Sequence, residues 1–270
     1  MALKRNLIAN VLGQGWAGLM SVAFIPLYIK FLGIEAYGLI GIFAMLQAWL
    51  SLLDMGMTPT LSREMARFTA GERSRQSIHD LLRSIELIAM AVAATVTACM
   101  ALASNWIAHS WLNIDGMPTA MVTQAISAMG LVIGLRFLEG IYRSSLVGLQ
   151  QQVLFNSINC VTATLRGLGT VGILSWVSPS IQAFFLWQGL ISILMVLTLR
   201  GANYANLPHA DHPARFSVGA LRSVWGFAGG MMGITILALL LTQVDKIFLS
   251  KLLPLQQFGY YPLASTAAGA

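Results

Sequence analysis

The stretch Ala128-Met-Gly-Leu-Val-Ile-Gly-Leu-Arg-Phe-Leu-Glu-Gly-Ile-Tyr-Arg143 sets three ionisable side chains, Arg136, Glu139 and Arg143, into one apolar segment. Their spacings of three and four residues stack them on one helical face. An ionised group at membrane depth costs about 3 kcal/mol on insertion scales, so it faces a bundle interior, a partner or a wet cavity. The next apolar segment carries a fourth charge, Arg166, near its middle. The segments around this stretch decide whether it lies in a membrane.

They do. The chain is 57% hydrophobic and 10% charged with a mean hydropathy of +0.73, a balance that a soluble globular surface does not tolerate. Crossing about 30 Å of hydrocarbon takes about 20 residues of helix, and windows of that kind lie at 7–32, 36–57, 85–107, 119–147, 153–177, 181–199 and 223–250. An eighth begins at Gly259. The predicted fold class is therefore all-α, a polytopic membrane helical bundle.

The formal charge of +6 follows the membrane rather than a nucleic-acid face. Lys4, Arg5, Arg63, Arg67, Arg73, Arg75, Arg83, Arg143, Arg200, Arg215 and Arg222 fall at the ends and loops of one side, and only Lys30 and Lys251 flank the other. The positive-inside rule places the N terminus and loops 58–84, 148–152 and 200–222 in the cytoplasm. Trp106, Trp111 and Trp176 sit at the opposite helix ends, as interfacial aromatics do. The N-terminal apolar run exceeds a signal-peptide core and lacks a small-residue cleavage site, so it reads as a retained first helix. Cys99 and Cys160 lie within spans and imply no pairing.

The two long loops are 58–84, with five arginines, and 200–222, with three. The second divides residues 1–200, a six-helix lobe, from residues 223–270, with 201–222 as the connection. A repeat supports this division. Lys30-Phe-Leu-Gly-Ile-Glu-Ala-Tyr-Gly38 and Lys251-Leu-Leu-Pro-Leu-Gln-Gln-Phe-Gly259 both link an outgoing helix to the next one, at a constant offset of 221 residues. Six intervening helices make the copies parallel, related by an axis along the membrane normal. The second copy is expected to be unfinished, with its eighth helix about half the crossing length.

Polar residues recur on helical faces: Asn6, Asn10 and Gln14 with Ser21; Gln47, Ser51, Asp54 and Thr58; Asn156, Asn159, Arg166 and Thr170; and Thr235, Thr242 and Asp245 beside Lys246. Span 85–107 reads as nearly all apolar and lipid-facing. Two readings of the stripes stand open, a cavity lining and interhelical hydrogen bonding. Glu139 and Arg143 have the i, i+4 spacing of an ion pair. That leaves Arg136 and Arg166 in excess, without an acidic neighbour in sequence. An unpaired guanidinium in a wet cavity suits an anion, above all phosphate, gripped through two parallel hydrogen bonds.

Other signals carry less. Gly167-Leu-Gly-Thr-Val-Gly172 matches a dinucleotide fingerprint but follows no strand, and reads as a close-packing surface, as does Gly229 with Gly233. His209 and His212 lack further ligands and read as a solvated loop. No nucleophile constellation is visible, so the chain reads as no enzyme, with no metal and no cofactor.

Asn10-Val-Leu-Gly-Gln-Gly-Trp16, Pro26-Leu-Tyr-Ile-Lys-Phe-Leu-Gly-Ile-Glu-Ala-Tyr-Gly-Leu39 and Leu53-Asp-Met-Gly-Met-Thr-Pro-Thr-Leu-Ser-Arg-Glu64 together resemble the O-antigen and polysaccharide flippases. The resemblance continues through Gln243-Val-Asp-Lys246 and Phe258-Gly-Tyr-Tyr261. These belong to the multidrug/oligosaccharidyl-lipid/polysaccharide exporter superfamily. The resemblance implies two six-helix lobes facing across a cavity, in a bacterial inner membrane. It also implies translocation of an undecaprenyl-pyrophosphate-linked oligosaccharide to the outer leaflet by alternating access. This sequence departs from it by ending after about half the expected length.

On that reading Arg166 and Arg136, with Glu139 and Arg143, bind the pyrophosphate. Asn10, Gln14, Gln47, Asp54, Asn156, Asn159, Asp245 and Lys246 line the cavity. The partners are the lipid-linked oligosaccharide, membrane lipids and a polysaccharide polymerase complex, with no nucleic acid. Two alternatives remain: a cation-coupled multidrug exporter, whose cavity would be dominated by acids, and a non-transporting subunit or truncated remnant.

Overall fold

Gly33 stands at φ 81° and ψ 166°, in a region that residues with a Cβ rarely enter, and it kinks the helical run Ile25–Leu50. In the computed structural model, which describes residues 2–114, 116–208, 212–222 and 225–269, α1 (Ala2–Ala23) and α2 (Ile25–Leu50) are separated by a turn at Phe24. Pro26, which lacks an N–H for the preceding turn, follows immediately. A short 3₁₀ turn, Ser51–Asp54, ends at Met55 and Gly56, both with positive φ. Asp54 then accepts from the backbone N–H of Thr58 at 3.0 Å and from its hydroxyl at 2.6 Å, capping the next helix.

That helix, α3 (Met57–Thr69), is followed by α4 (Arg75–Trp106), which continues in a wide turn to Trp111. The order proceeds through α5 (Thr119–Gly148), α6 (Gln152–Trp176), α7 (Ile181–Asn206), the short α8 (Val218–Arg222), α9 (Trp225–Leu252) and α10 (Leu255–Gly269). The molecule is an all-α membrane bundle, 88% helical. Ile25–Asp54, Arg75–Trp111, Thr119–Gly148, Ile181–Asn206 and Gly229–Leu252 are long and apolar enough to cross a bilayer. The last part of the expected span 7–32 lies in Ile25–Asp54. The helices α1 and α6 are not among these, and both carry rows of amides. Those rows face each other. The Asn156 amide donates to Asn10 Oδ1 at 2.7 Å, the Trp16 indole to Thr164 at 3.0 Å, and the Asn6 amide to the Gln150 carbonyl at 3.2 Å.

The interval 58–84 is not a loop. Leu61 and Met65 of α3 are fully buried beside Ile78, Leu82 and Ile85 of α4 and Ile141 of α5, forming a separate core at the arginine-rich end. Glu64, 1% exposed, is held there by Arg73 at 2.7 Å and Arg67 at 3.3 Å. Nor is span 85–107 simply lipid-facing. Ile85, Glu86, Ala89, Ala93, Val96 and Met100 of α4 are buried, and Gly134 of α5 lets the backbones close: a Cβ there would meet the Ala93 carbonyl oxygen at 2.9 Å.

The segment after α7 is strapped to α4. Gln76, Asp80 and Ser84, spaced four residues apart, accept the backbone N–H groups of His212, Arg215 and Ser217 at 3.2, 2.9 and 2.9 Å. His209 lies outside the described residues, and His212 is exposed. A Cβ at Gly167 or Gly169 would collide with Phe24 or Trp187, so this pair packs closely. At Gly229 or Gly233 it would meet nothing within 4 Å, contrary to expectation.

The eighth helix starts at Leu255 rather than Gly259 and lies against α2. A Cβ on Gly38 would meet the Leu255 carbonyl oxygen at 2.5 Å, and one on Gly259 would meet the Ile34 carbonyl oxygen at 2.5 Å. Ile34 and Leu255 share the 221-residue offset, as do Gly38 and Gly259. Gly41 and Pro262 do too, and a Cβ on Gly41 would meet Pro262 Cγ at 2.6 Å. Exchanging the two copies maps this seam onto itself, as a two-fold contact requires. The α4–α5 loop seals the same end: Asn113 accepts from the Leu255 N–H at 2.9 Å and donates to the Lys251 carbonyl at 3.0 Å. Trp111 donates to Ser250 at 3.3 Å and carries Lys251 over its ring.

Gly38→Ala is expected to destabilise the detergent-solubilised protein by about 1–3 kcal/mol through overpacking. Gly201→Ala, where a Cβ meets nothing within 4 Å, should stabilise α7 by about 0.5–1 kcal/mol, since alanine is the better helix former. Thermal unfolding of the two variants checks both signs.

Candidate functional site

Arg136 projects from the middle of α5 toward α2 and α7. Its Nη1 donates to Gln47 Oε1 at 2.8 Å, its Nη2 to Gln188 Oε1 at 3.3 Å, and its guanidinium lies 4.9 Å from the centroid of Phe43. Gln188 is buried and uses its own amide to donate to Thr170 at 3.3 Å. A guanidinium is a donor-only group with five N–H bonds, so neutral amide oxygens satisfy part of it without cancelling its charge. Its Nε is sealed from solvent and has no hydrogen-bond partner.

Arg166 enters from α6. Its Nη2 donates to Glu139 Oε1 at 2.6 Å and to the Ser192 hydroxyl at 3.0 Å, and its Nε is likewise sealed and unpartnered. The pair joins adjacent helices and displaces the one expected from spacing. Glu139 reaches across to Arg166, while Arg143, four residues away on its own helix, is exposed and stacks 5.1 Å from Phe155. The reason is depth: α6 brings Arg166 level with Glu139, and Arg143 sits a turn nearer the helix end, where water solvates it.

Arg136, Glu139, Arg166, Gln188 and Asn159 line one cavity of about 380 Å³, together with the rings of Tyr28, Phe43 and Phe184. Arg136 also borders a second cavity of about 500 Å³ with Gln47, Asp54, Thr58, Met231 and Thr235. It is thus the shared wall of two chambers. The first holds two guanidiniums against one carboxylate, a net positive space lined by aromatic and amide surface. Guanidinium forks are, as a class, the groups that match phosphate and carboxylate oxygens in pairs. Among the described residues no three of His, Cys, Asp and Glu form a metal-ligating group.

The remaining expected lining residues divide. Gln47 and Asp54 face the second chamber and Asn159 the first, whereas Asn10 and Asn156 are spent on each other. Gln14 is exposed. Asp245 is exposed and accepts from the Tyr261 hydroxyl, and neither it nor Lys246 borders the two cavities. The backbone of Ser51 lies in the 3₁₀ turn, but its side chain is outside the described ones.

Sequence reasoning passed over Gln188 and Ser192, although two polar residues four apart in the apolar run Phe184–Leu194 were a usable signal. It also passed over Glu86. That carboxylate is 1% exposed and gathers the Tyr142 hydroxyl at 2.5 Å, the Tyr204 hydroxyl at 2.9 Å, and Arg83 and Arg200 at 2.8 Å each. It ties α4, α5 and α7 together below the cavity.

Residues 3–270 match the family model described as polysaccharide biosynthesis protein. No curated protein and no solved structure gives a significant match.

A double-mutant cycle separates the two ion-pair readings. Glu139→Gln with Arg166→Gln should show a coupling of about 1–3 kcal/mol, and Glu139→Gln with Arg143→Gln less than about 0.5 kcal/mol. The measurement is thermal or denaturant unfolding of the single and double variants, and the reverse order would restore the i, i+4 pair.

Proposed function

The chain belongs to the polysaccharide biosynthesis protein family, and from that premise we propose that it forms the cation-lined wall of a flippase for lipid-linked oligosaccharides. The observation that carries the reading is the first cavity, which two arginines with unpartnered Nε groups line beside a single carboxylate, paired with Arg166 alone. A pyrophosphate is the anion best matched to two planar guanidiniums on neighbouring helices.

Each arginine has its own task in this mechanism. Arg166 is neutralised at rest by Glu139, and the incoming phosphate takes the place of that carboxylate. Arg136 has only neutral amides to release, so its charge is fully available. Gln188, Asn159 and Ser21, on the same cavity wall, hydrogen-bond the sugar hydroxyls. The polyprenyl tail stays in lipid. Asn10 and Asn156 hold α1 to α6 and do not touch the sugar.

Alternating access needs a second lobe that rocks against the first. The self-matching seam between α2 and α10 supports that organisation, with residues 1–200 as one lobe and 223–270 opening the next. The seam and the Asn113 contacts close the end opposite the arginine-rich loops. With those loops in the cytoplasm, this arrangement faces inward, ready to load from the cytoplasmic leaflet of a bacterial inner membrane. A polymerase receives the flipped unit outside. Two guanidiniums against one carboxylate favour an anionic cargo over the organic cation of a multidrug exporter.

In cells whose surface polysaccharide depends on this gene, Arg136→Gln is expected to lower surface polymer about tenfold or more, the worth of a charge-assisted hydrogen-bond pair. Arg143→Gln should leave it near the parental level. Immunoblots of polymer, normalised to membrane-inserted protein, decide the matter. Normal export by Arg136→Gln would overturn the phosphate role, and vesicles that take up organic cations but not lipid-linked sugar would overturn the substrate.

A further inference from the structure

Outside the transport cavity, on the lipid-facing side of α4 and α5, lies an apolar groove of about 460 Å³. It is lined by Met90, Ala94, Ala98 and Ala101 from α4 and by Leu131 and Leu138 from α5. The α4 residues stand three or four apart, so they form one continuous row. Extending that row toward the arginine-rich end, seven residues before Met90, gives Arg83. It lies about 10 Å away along the axis at 1.5 Å per residue.

A second outward-facing row ends in the same place. Leu186, Leu190, Ile193 and Leu197 of α7 are exposed, and the next residue along this face is Arg200. Both arginines converge on the buried Glu86, Arg83 through Nη1 and Arg200 through Nε, at 2.8 Å each. Their side chains remain 34% and 48% exposed. One carboxylate between two guanidiniums leaves a unit of positive charge. Asp80, three residues before Arg83, accepts from the Gln76 amide at 3.0 Å and from the Arg215 backbone N–H at 2.9 Å.

We propose that this is a binding site for an anionic phospholipid, with its phosphate on Arg83 and Arg200 and an acyl chain in the α4–α5 groove. Three features converge on that occupant. The arginines stand where two lipid-facing rows end, which is headgroup depth. Glu86 fixes both side chains, so their ordering is complete before the lipid arrives and is not charged against binding. The groove begins about 10 Å deeper, in the path of a chain hung from that phosphate, and its alanines leave room for it. Basic pockets between helices at a membrane surface select anionic headgroups in this way. The site is separate from the cationic cavity and stands whether or not that cavity carries pyrophosphate.

The test uses the purified 270-residue chain in nanodiscs or detergent, with retained lipid read by native mass spectrometry. Titration with phosphatidylglycerol and with phosphatidylcholine of matched chains should give about tenfold preference for the anionic lipid, near what two interfacial arginines contribute. Arg83→Gln/Arg200→Gln should abolish the preference. Because that pair also supports Glu86, Ala94→Leu/Ala98→Leu provides the second arm: it fills the groove, leaves the arginines intact and should weaken phosphatidylglycerol binding several-fold. Glycerol 3-phosphate, which has the headgroup chemistry without a chain, should not compete. Equal retention of the two lipids, a preference unchanged by the groove-filling variant, or full competition by glycerol 3-phosphate would each overturn the proposal.

Discussion

A guanidinium does not shed its proton inside a membrane, so Arg136 and Arg166 oblige the surrounding helices to supply acceptors or water at mid-bundle depth. Their neighbours follow from that obligation. Gln47 on α2, Gln188 and Ser192 on α7 and Glu139 on α5 are the oxygen atoms that reach them. Two of the three helices that contribute these groups, α2 and α7, also supply the large side chains Phe43, Phe184 and Met195 that line the cavity. Supplying one carboxylate rather than two leaves the space positive, and the proposed anion site rests on that imbalance.

Away from that chamber the structure uses charge differently. At the arginine-rich end Glu64 and Glu86 are each buried and each surrounded by arginines, one organising α3 and the other joining α4, α5 and α7. Breaking a buried pair by removing one partner is far costlier than the pair is worth relative to an apolar core, so these clusters fix register more than they add stability. At the opposite end, backbone closeness does the equivalent work. Gly38 and Gly259 bring α2 and α10 into carbonyl contact and Gly41 admits the Pro262 ring, the small-residue packing that membrane helices use in place of a hydrophobic driving force.

Much of this was legible along the chain, residue by residue. The apolar windows, the loading of Lys and Arg onto one side and the 221-residue repeat all reappear as helices, an arginine-rich end and a self-matching seam. The α3 helix was hidden because the arginines made residues 58–84 look like solvent-facing loop; Leu61 and Met65 are buried there against the start of α4. Asn10 and Asn156 looked like cavity lining because periodicity reports which residues share a face and is silent on what that face meets. Glu86 escaped notice for a related reason: it sits beside Arg83 at the edge of an apolar window, where an i, i+3 surface pair explains it equally well.

The sequence by itself determined the medium and the inventory: helices apolar enough for lipid, with two guanidiniums too deep to be accidental. Hydropathy and spacing are local quantities, and a membrane enforces them residue by residue. Only the tertiary structure decided the partners. Glu139 chose Arg166 over Arg143 because helix packing sets depth and distance between segments, and a pair 27 positions apart in the chain leaves no periodic trace. The same packing spent one amide stripe on holding helices together, left Arg136 among neutral oxygens, and so fixed where positive charge remains for a ligand.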